Sequence, residues 1–249
     1  MDIARKHALI TGGGSGIGRA TAILLAEKGA TRITLVDVNA HGLDESADLV
    51  RSAGAEVTIA IADVSDPAAL EQAFDQAAHA APIDIVFNNA GVVSGAHLFP
   101  TAPHQRVSQV FGININGVVI GTQLAVKHMD GRGGVVVNTV STAHNNTNFR
   151  DVLYSTSKAA VAQFTQACAQ IEGPTGVRVC GVSPGLVETP ILDTTGGAKR
   201  ADWMEPILAN NRALPPVAIA QGVVRQIEDD GSAGTILVVA DAWFETQPA

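Results

Sequence analysis

Thr11-Gly12-Gly13-Gly14-Ser15-Gly16-Ile17-Gly18 follows the short apolar run His7-Ala8-Leu9-Ile10 and precedes an Ala-, Leu- and Ile-rich stretch over residues 19–29. Strand, glycine turn and helix, in that order, is the context a dinucleotide site requires. The spacing is T-G-x-x-x-G-x-G, carried by Gly12, Gly16 and Gly18. It is not G-x-G-x-x-G, which would place Ile17 at the third glycine. The physics is the same for both. Glycines let the backbone approach a pyrophosphate, which rests at the positive end of the following helix. A glycine turn without a ligand would look alike, so positions further along have to decide.

The next strand, Arg32-Ile33-Thr34-Leu35-Val36-Asp37, ends on a carboxylate 19 residues after Gly18. An acidic residue about 20 residues on accepts hydrogen bonds from the adenosine ribose hydroxyls and would repel a 2′-phosphate. The plainer alternative for Asp37 is a helix cap or a solvated side chain. Downstream, Val57-Thr58-Ile59-Ala60-Ile61, Ile83-Asp84-Ile85-Val86-Phe87, Gly134-Val135-Val136-Val137-Asn138, Val177-Arg178-Val179-Cys180-Gly181-Val182 and Gly234-Thr235-Ile236-Leu237-Val238-Val239 read as five more strands. Helices are expected between them. One covers residues 39–52, one runs to about Ala80 with Asp66 as cap and Pro67 at its first position, one spans 103–128, and one carries Tyr154 through Ile171. Alternating strands and helices predict an α/β, doubly wound, Rossmann-type sheet of seven mainly parallel strands with helices on both faces. A single domain over residues 1–249 is expected, with a substrate lid at about 186–216, the one long irregular stretch.

Composition narrows the function classes. The hydrophobic share is 46% and the aromatic share 4%, so the core is built from Ala, Val, Ile and Leu. A net charge of −8 has the wrong sign for a general nucleic-acid or anionic-membrane binder. No unbroken run of about 18 apolar residues suggests a membrane span, and no signal peptide precedes the first glycines. The two cysteines, Cys168 and Cys180, form no C-x-x-C pair and read as buried apolar residues in a reducing, cytoplasmic setting. The seven histidines show no metal-ligand spacing, so no metal site is expected.

Tyr154 is the sole tyrosine of the chain, and Lys158 follows one helical turn later. Residues i and i+4 share a helix face. A phenol ordinarily titrates near pH ~10, too high for a base at neutral pH, and a neighbouring ammonium would lower that value. A partly buried tyrosine followed by a surface lysine would give the same letters.

Together these residues resemble the short-chain dehydrogenase/reductase family over nearly the whole chain. The matches are the Thr11–Gly18 loop, Asp37, Asp63-Val64, Asn88-Asn89-Ala90-Gly91, Asn114, Ser141, Tyr154-x-x-x-Lys158 and Pro184-Gly185. The segment from Leu214-Pro215-Pro216 through Ile227-Glu228-Asp229-Asp230-Gly231 resembles the branch containing 15-hydroxyprostaglandin dehydrogenase. The resemblance implies an NAD-dependent enzyme that moves a hydride between nicotinamide and a secondary alcohol or ketone. It implies Tyr154 as acid/base, Lys158 as the group that lowers the tyrosine pKa and holds the nicotinamide ribose, and Ser141 as holder of the substrate oxygen. Asn114 would anchor a water relay to Lys158, with Asn116 a rival for that role. Cofactor contacts are implied at Gly12, Ser15, Gly16, Ile17, Gly18, Asp37, Asp63, Val64, Asn89, Pro184, Gly185, Val187 and Thr189, besides Tyr154 and Lys158. The family pattern also implies a homo-oligomer, a tetramer or a dimer, packed through the long helices over residues 103–128 and 152–171. The chain departs from the family at Cys180-Gly181, where Asn-Ala is common. It departs again at Ala240-Asp241-Ala242-Trp243-Phe244-Glu245, where a glycine-rich ending is usual.

Two rival functions remain open on sequence grounds: an NADPH-dependent 3-oxoacyl reductase, and a catalytically silent nucleotide-binding scaffold. Asp37 and the neutral Ser15 weigh against the first, and the presence of Ser141, Tyr154 and Lys158 against the second. His144, three residues after Ser141, is a candidate pocket residue. Leu186, Ile191, Leu192, Trp203, Met204, Ile207 and Leu208 give the lid an apolar character. That suits an uncharged, fairly apolar substrate.

Overall fold

The computed structural model describes residues 1–129 and 131–240. Among the described residues seven strands are formed: β1 His7–Thr11, β2 Arg32–Asp37, β3 Glu56–Ile61, β4 Ile85–Asn88, β5 Gly134–Thr139, β6 Val177–Pro184 and β7 Ile236–Val239. Every strand pairing is parallel, in the order β3-β2-β1-β4-β5-β6-β7. The helices are α1 Gly16–Glu27, α2 Ala40–Ser52, α3 Pro67–Ala80, α4 His104–Phe111, α5 Gly117–Met129, α6 Val152–Ala167, α7 Glu172–Thr175, α8 Glu205–Asn210 and α9 Pro216–Glu228. Two apolar layers sandwich the sheet. Ala8, Ile10, Ile33, Leu35, Val135 and Val137 face α1, α2 and α9. Leu9, Val36, Val86 and Val136, one position off, face α3 and α5. That parity is the period-two alternation of a strand buried on both sides.

The strand order reverses between β1 and β4, because β1–β3 grow one way from the centre and β4–β7 the other. Ligands bind outside the strands' carboxyl ends at such a point. The glycine loop leaves β1 there and Asn89-Ala90-Gly91 leaves β4 beside it. Several local expectations hold in detail. The Asp66 side chain accepts from the Ala68 and Ala69 amides, and Pro67 opens α3. Asn39 caps α2 instead of belonging to it.

Other boundaries moved. β6 runs on through Ser183 and Pro184, because pairing with β7 continues as far as Pro184–Val239. The helix expected over 103–128 is not uniform: a π-helical turn, Gly112–Asn116, separates α4 from α5. Such turns occur often at functional sites. The whole run His104–Met129 is long and apolar enough to cross a membrane by length and composition. Here it packs into the fold, with Val110, Asn114, Val118, Leu124 and Ala125 buried. The helix of Tyr154 ends at Ala167 and gives way to a 3-10 turn at Cys168–Ile171. The segment 186–216 is not irregular. It holds 3-10 turns at Pro190–Thr194 and Asp202–Met204 and the short helix α8, and Pro216 already opens α9. The departure noted at residues 240–245 lies, beyond Ala240, outside the described residues.

Candidate active site

One cavity of about 670 Å³ runs along the carboxyl edge of the sheet, from Asp37 at one end to Trp203 and Ile207 at the other. At the Asp37 end it is built from backbone. Gly12 and Gly16 take left-handed φ values of +66° and +51°. A side chain on Gly18 would run into the Gly12 carbonyl. Ser15 caps α1 without a side-chain bond to the first turn, so the amides there are not claimed by a side chain. The Thr11 hydroxyl accepts the Asn89 and Ala90 backbone amides, at 3.0 and 3.1 Å, while the Asn89 side-chain Nδ2 donates to the Thr11 and Gly12 carbonyls. The two loops at the switch point are thereby locked together. Uncapped helix amides behind a glycine cradle fit the diphosphate of a dinucleotide.

Asp37 accepts from the Gly14 and Asn39 amides, each at 3.0 Å, which fixes its carboxylate at the cavity wall. Arg19, a cation near this end, is committed elsewhere: to the Gly14 carbonyl at 2.6 Å, the Ser46 hydroxyl at 2.8 Å and Glu45 at 2.8 Å. Asp63 is held by the Ser65 amide and hydroxyl at 2.8 and 2.7 Å, and Val64 packs against Gly117.

At the centre, Ser141 caps the 3-10 turn Thr142–Asn145 after β5, accepting from the Ala143 amide at 3.2 Å. Tyr154 and Lys158 stand one turn apart on α6, with Lys158 Nζ 5.8 Å from the ring centre. Nζ donates to the Thr139 carbonyl at 2.8 Å. Lys158 is buried and Tyr154 partly so. Burial pushes the Tyr154 pKa up, a hydrogen bond with Ser141 pulls it back, and the Asp151 charge pushes it further up. Burial alone pulls Lys158 down to about 8. The expectation that Lys158 lowers the tyrosine pKa is therefore not met in the protein by itself. Desolvation penalises both charged forms and is the largest cause of each shift.

Of the expected residues, Gly12, Ser15, Gly16, Ile17, Asp37, Asp63, Val64, Asn89, Ser141, Tyr154, Lys158, Pro184, Gly185, Val187 and Thr189 all line this cavity. Gly18 and Asn114 do not. Gly18 shapes the turn from behind. Asn114 sits in the π-helical turn, fully buried, accepting the Val92 amide at 2.8 Å and donating to the Val92 carbonyl and the Ser157 hydroxyl, both at 2.9 Å. Its rival Asn116 is exposed. A Cβ added at Gly91 would stand 3.4 Å from Asn114 Oδ1 and 3.6 Å from Lys158 Nζ, so Gly91 leaves open the space beside both. His144 does not line the cavity; its Nδ1 turns back to the Ser141 carbonyl at 2.6 Å. Among the described residues no cluster of His, Cys, Asp or Glu could hold a metal ion.

Sequence reading missed several residues. Phe149 lies between Tyr154 and the covering segment, 6.1 Å from the tyrosine ring and 6.2 Å edge-on from Trp203. Asp151, at the N-cap of α6, is buried and accepts the Tyr154 amide at 3.1 Å. An acidic residue three positions before Tyr154 was a readable helix-start signal. Its partner Ser94 was not readable, because it comes from a loop 57 residues away.

The model of the short-chain dehydrogenase family matches residues 6–200. The chain belongs to that family. Levodione reductase of Leifsonia aquatica is 34% identical over 235 residues, covering 90% of this chain and 88% of its own. The crystal structure of levodione reductase superposes with a TM-score of 0.87 at 30% identity, covering 98% of this chain and 99% of that one. The bovine 15-hydroxyprostaglandin dehydrogenase [NAD(+)] is 32% identical over 255 residues, covering 96% and 92%. A short-chain dehydrogenase from Burkholderia cenocepacia in complex with NADP superposes at TM-score 0.85 and 27% identity, covering 96% and 98%. The family is one of oxidoreductases that bind a nicotinamide cofactor, and this chain carries the cradle for one.

Proposed function

We propose that the protein is an NAD-dependent dehydrogenase or reductase acting on an uncharged, fairly apolar secondary alcohol or ketone. The observation that carries this reading is that Ser141, Tyr154 and Lys158 open into the same cavity as the glycine cradle and Asp37. NAD, when bound, supplies the hydride acceptor or, reduced, the donor. The glycine loop and the α1 amides take its diphosphate. Asp37 accepts the adenosine ribose hydroxyls, and its carboxylate disfavours a 2′-phosphate through like-charge repulsion. The Asp63-Val64 pair borders the adenine, and Lys158 reaches the nicotinamide ribose.

The chemistry belongs to three side chains. The Ser141 hydroxyl holds the substrate oxygen. In ketone reduction the Tyr154 phenol donates its proton to that oxygen; in alcohol oxidation the phenolate accepts it. The buried ammonium of Lys158 offsets charge on the phenolate as it forms. Asn114 holds the π-helical turn beside Lys158, where a water relay would carry the proton outward.

The substrate end is lined by Phe149, Ile191, Leu192, Trp203, Met204 and Ile207. Apolar walls next to a partly buried phenol favour a ring or chain without charge. Levodione reductase and 15-hydroxyprostaglandin dehydrogenase are, by name, a ketone reductase and an alcohol dehydrogenase. Assembly as a homo-oligomer, a tetramer ahead of a dimer, through the faces of the helical run His104–Met129 and α6, accompanies this reading. The test compares kcat/KM for alicyclic, aryl and medium-chain secondary alcohols against polyols and hydroxyacyl thioesters, each with NAD and NADP. The apolar alcohols with NAD are expected to lead. A tenfold lead for polyols or thioesters, about 1.4 kcal/mol, contradicts the substrate class, and a lead for NADP contradicts the placement of Asp37.

A further inference from the structure

Asp151 is 2% exposed, stands three residues before Tyr154 and borders the cavity. Its two oxygens receive three donors: the Tyr154 amide at 3.1 Å, the Ser94 amide at 2.7 Å and the Ser94 hydroxyl. An ionised carboxylate is acceptor-only and takes such a set without a proton of its own. All three donors are uncharged, so none neutralises it. Behind it, Arg106 grips the Val93 and Ser94 carbonyls and holds the loop after β4 in place. The arrangement costs desolvation. A neutral Ser or Thr would have sufficed to cap α6.

We propose that Asp151 is a positioning residue for Tyr154: its buried carboxylate pins the tyrosine's own backbone to the loop after β4 and sets a fixed negative charge at the start of the helix that carries the acid/base. The inference rests on the reading of Tyr154 as the acid/base. The groups facing the phenol come from each element around it. Lys158 lies on the same helix, Ser141 at the start of the 3-10 turn after β5, where the His144 ring turns back to the Ser141 carbonyl, and Phe149 on the loop before α6. Trp203 reaches Phe149 from the covering segment, and Ser94, backed by Arg106, meets Asp151 from the loop after β4. Asp151 is the one carboxylate among them. Both charges belong to α6, Asp151 at its N-cap and Lys158 one turn past Tyr154. The chemical consequence is directional. A protonated phenol is ready to reduce a ketone, whereas oxidation waits until the pH is high enough to form the phenolate.

The sole tyrosine makes this directly measurable, since phenolate absorbance in the cofactor-free protein reports Tyr154 alone. Tyr154→Phe should abolish that signal. Asp151→Asn, and Asp151→Ser as a second neutral cap, should lower the titration midpoint by about half a pH unit or more. In turnover the alkaline limb of alcohol oxidation should move by the same amount, a gain of about threefold in the phenolate fraction at a given lower pH. Ser94→Ala removes one donor but leaves the charge, so its midpoint should stay or rise. A purely structural cap would move all three variants together. The inference is overturned if the neutral variants leave the midpoint unchanged or raise it, if Ser94→Ala lowers it as they do, or if neither neutral variant folds. Full turnover in Tyr154→Phe would instead refute the acid/base reading, while the titration would still report what Asp151 does to the phenol.

Discussion

The glycine loop and the covering segment 186–216 face each other across one cavity and are built by opposite means. The loop is held by backbone. The Gly13 amide donates to the Val36 carbonyl at 3.1 Å, the Gly14 amide to Asp37, and the Asn89 side chain to Thr11 and Gly12. The covering segment is pinned at its base, where Leu214 pairs with Leu186 and Glu188 at 2.8 and 2.9 Å. Beyond that base it buries few of its residues, Thr195 and Met204 among them, and is made of short turns. Backbone geometry admits one shape and few substitutions. A cover resting on scattered apolar contacts tolerates change, and its local opening costs little. The binding end is thus specified by shape, and the substrate end by the size and polarity of exchangeable side chains.

That contrast predicts unequal sensitivity. Gly18→Ala forces a Cβ into the Gly12 carbonyl, which cannot yield without reshaping the loop. It should weaken NAD binding at least a hundredfold by calorimetry, about 2.7 kcal/mol; near-normal affinity would show that the loop is as adaptable as the cover. Trp203→Ala removes the edge contact on Phe149. It should lower kcat/KM for an apolar alcohol roughly three- to thirtyfold, about 0.6–2 kcal/mol, and leave NAD affinity within about twofold. Equal damage to NAD binding would mean that the two ends are one unit.

A stability effect sharpens the comparison from the buried centre. Lys158 titrates at about 8 against an ordinary 10.5, so the folded protein binds fewer protons than the unfolded chain between those values. Stability therefore rises with pH through that window, and the penalty for the buried ammonium is complete below about pH 8. The shift corresponds to on the order of 3 kcal/mol, partly offset by the bond to Thr139. Lys158→Met should lose activity yet raise the Tm of the cofactor-free protein by a few degrees at pH 7. The advantage should shrink as the pH approaches 10.5. A variant less stable at pH 7 would contradict the burial argument.

Much of this was legible in the chain. Seven apolar runs separated by helical stretches determine the parallel sheet, and Asp66-Pro67 announces its helix. The cradle residues were legible because each acts through local backbone. What was hidden depends on distance or on environment. Asn114 falls in a π-helical turn whose side-chain partners, Val92 and Ser157, lie 22 and 43 residues away. Ser94 meets Asp151 only through the fold. His144 stands beside Ser141 in sequence, yet the 3-10 turn rotates its ring away from the cavity. The spacing of Tyr154 and Lys158 tells the sign of their interaction but not the depth of burial, and burial decides both pKa shifts.

The central claim is that Tyr154 moves the proton in a site that binds NAD independently of it. Tyr154→Phe should bind NAD with the affinity of the wild type while turnover with a secondary alcohol falls at least a thousandfold, within the roughly 10²–10⁴ range of general acid–base contributions. Turnover within tenfold of the wild type, with NAD still bound, would contradict it.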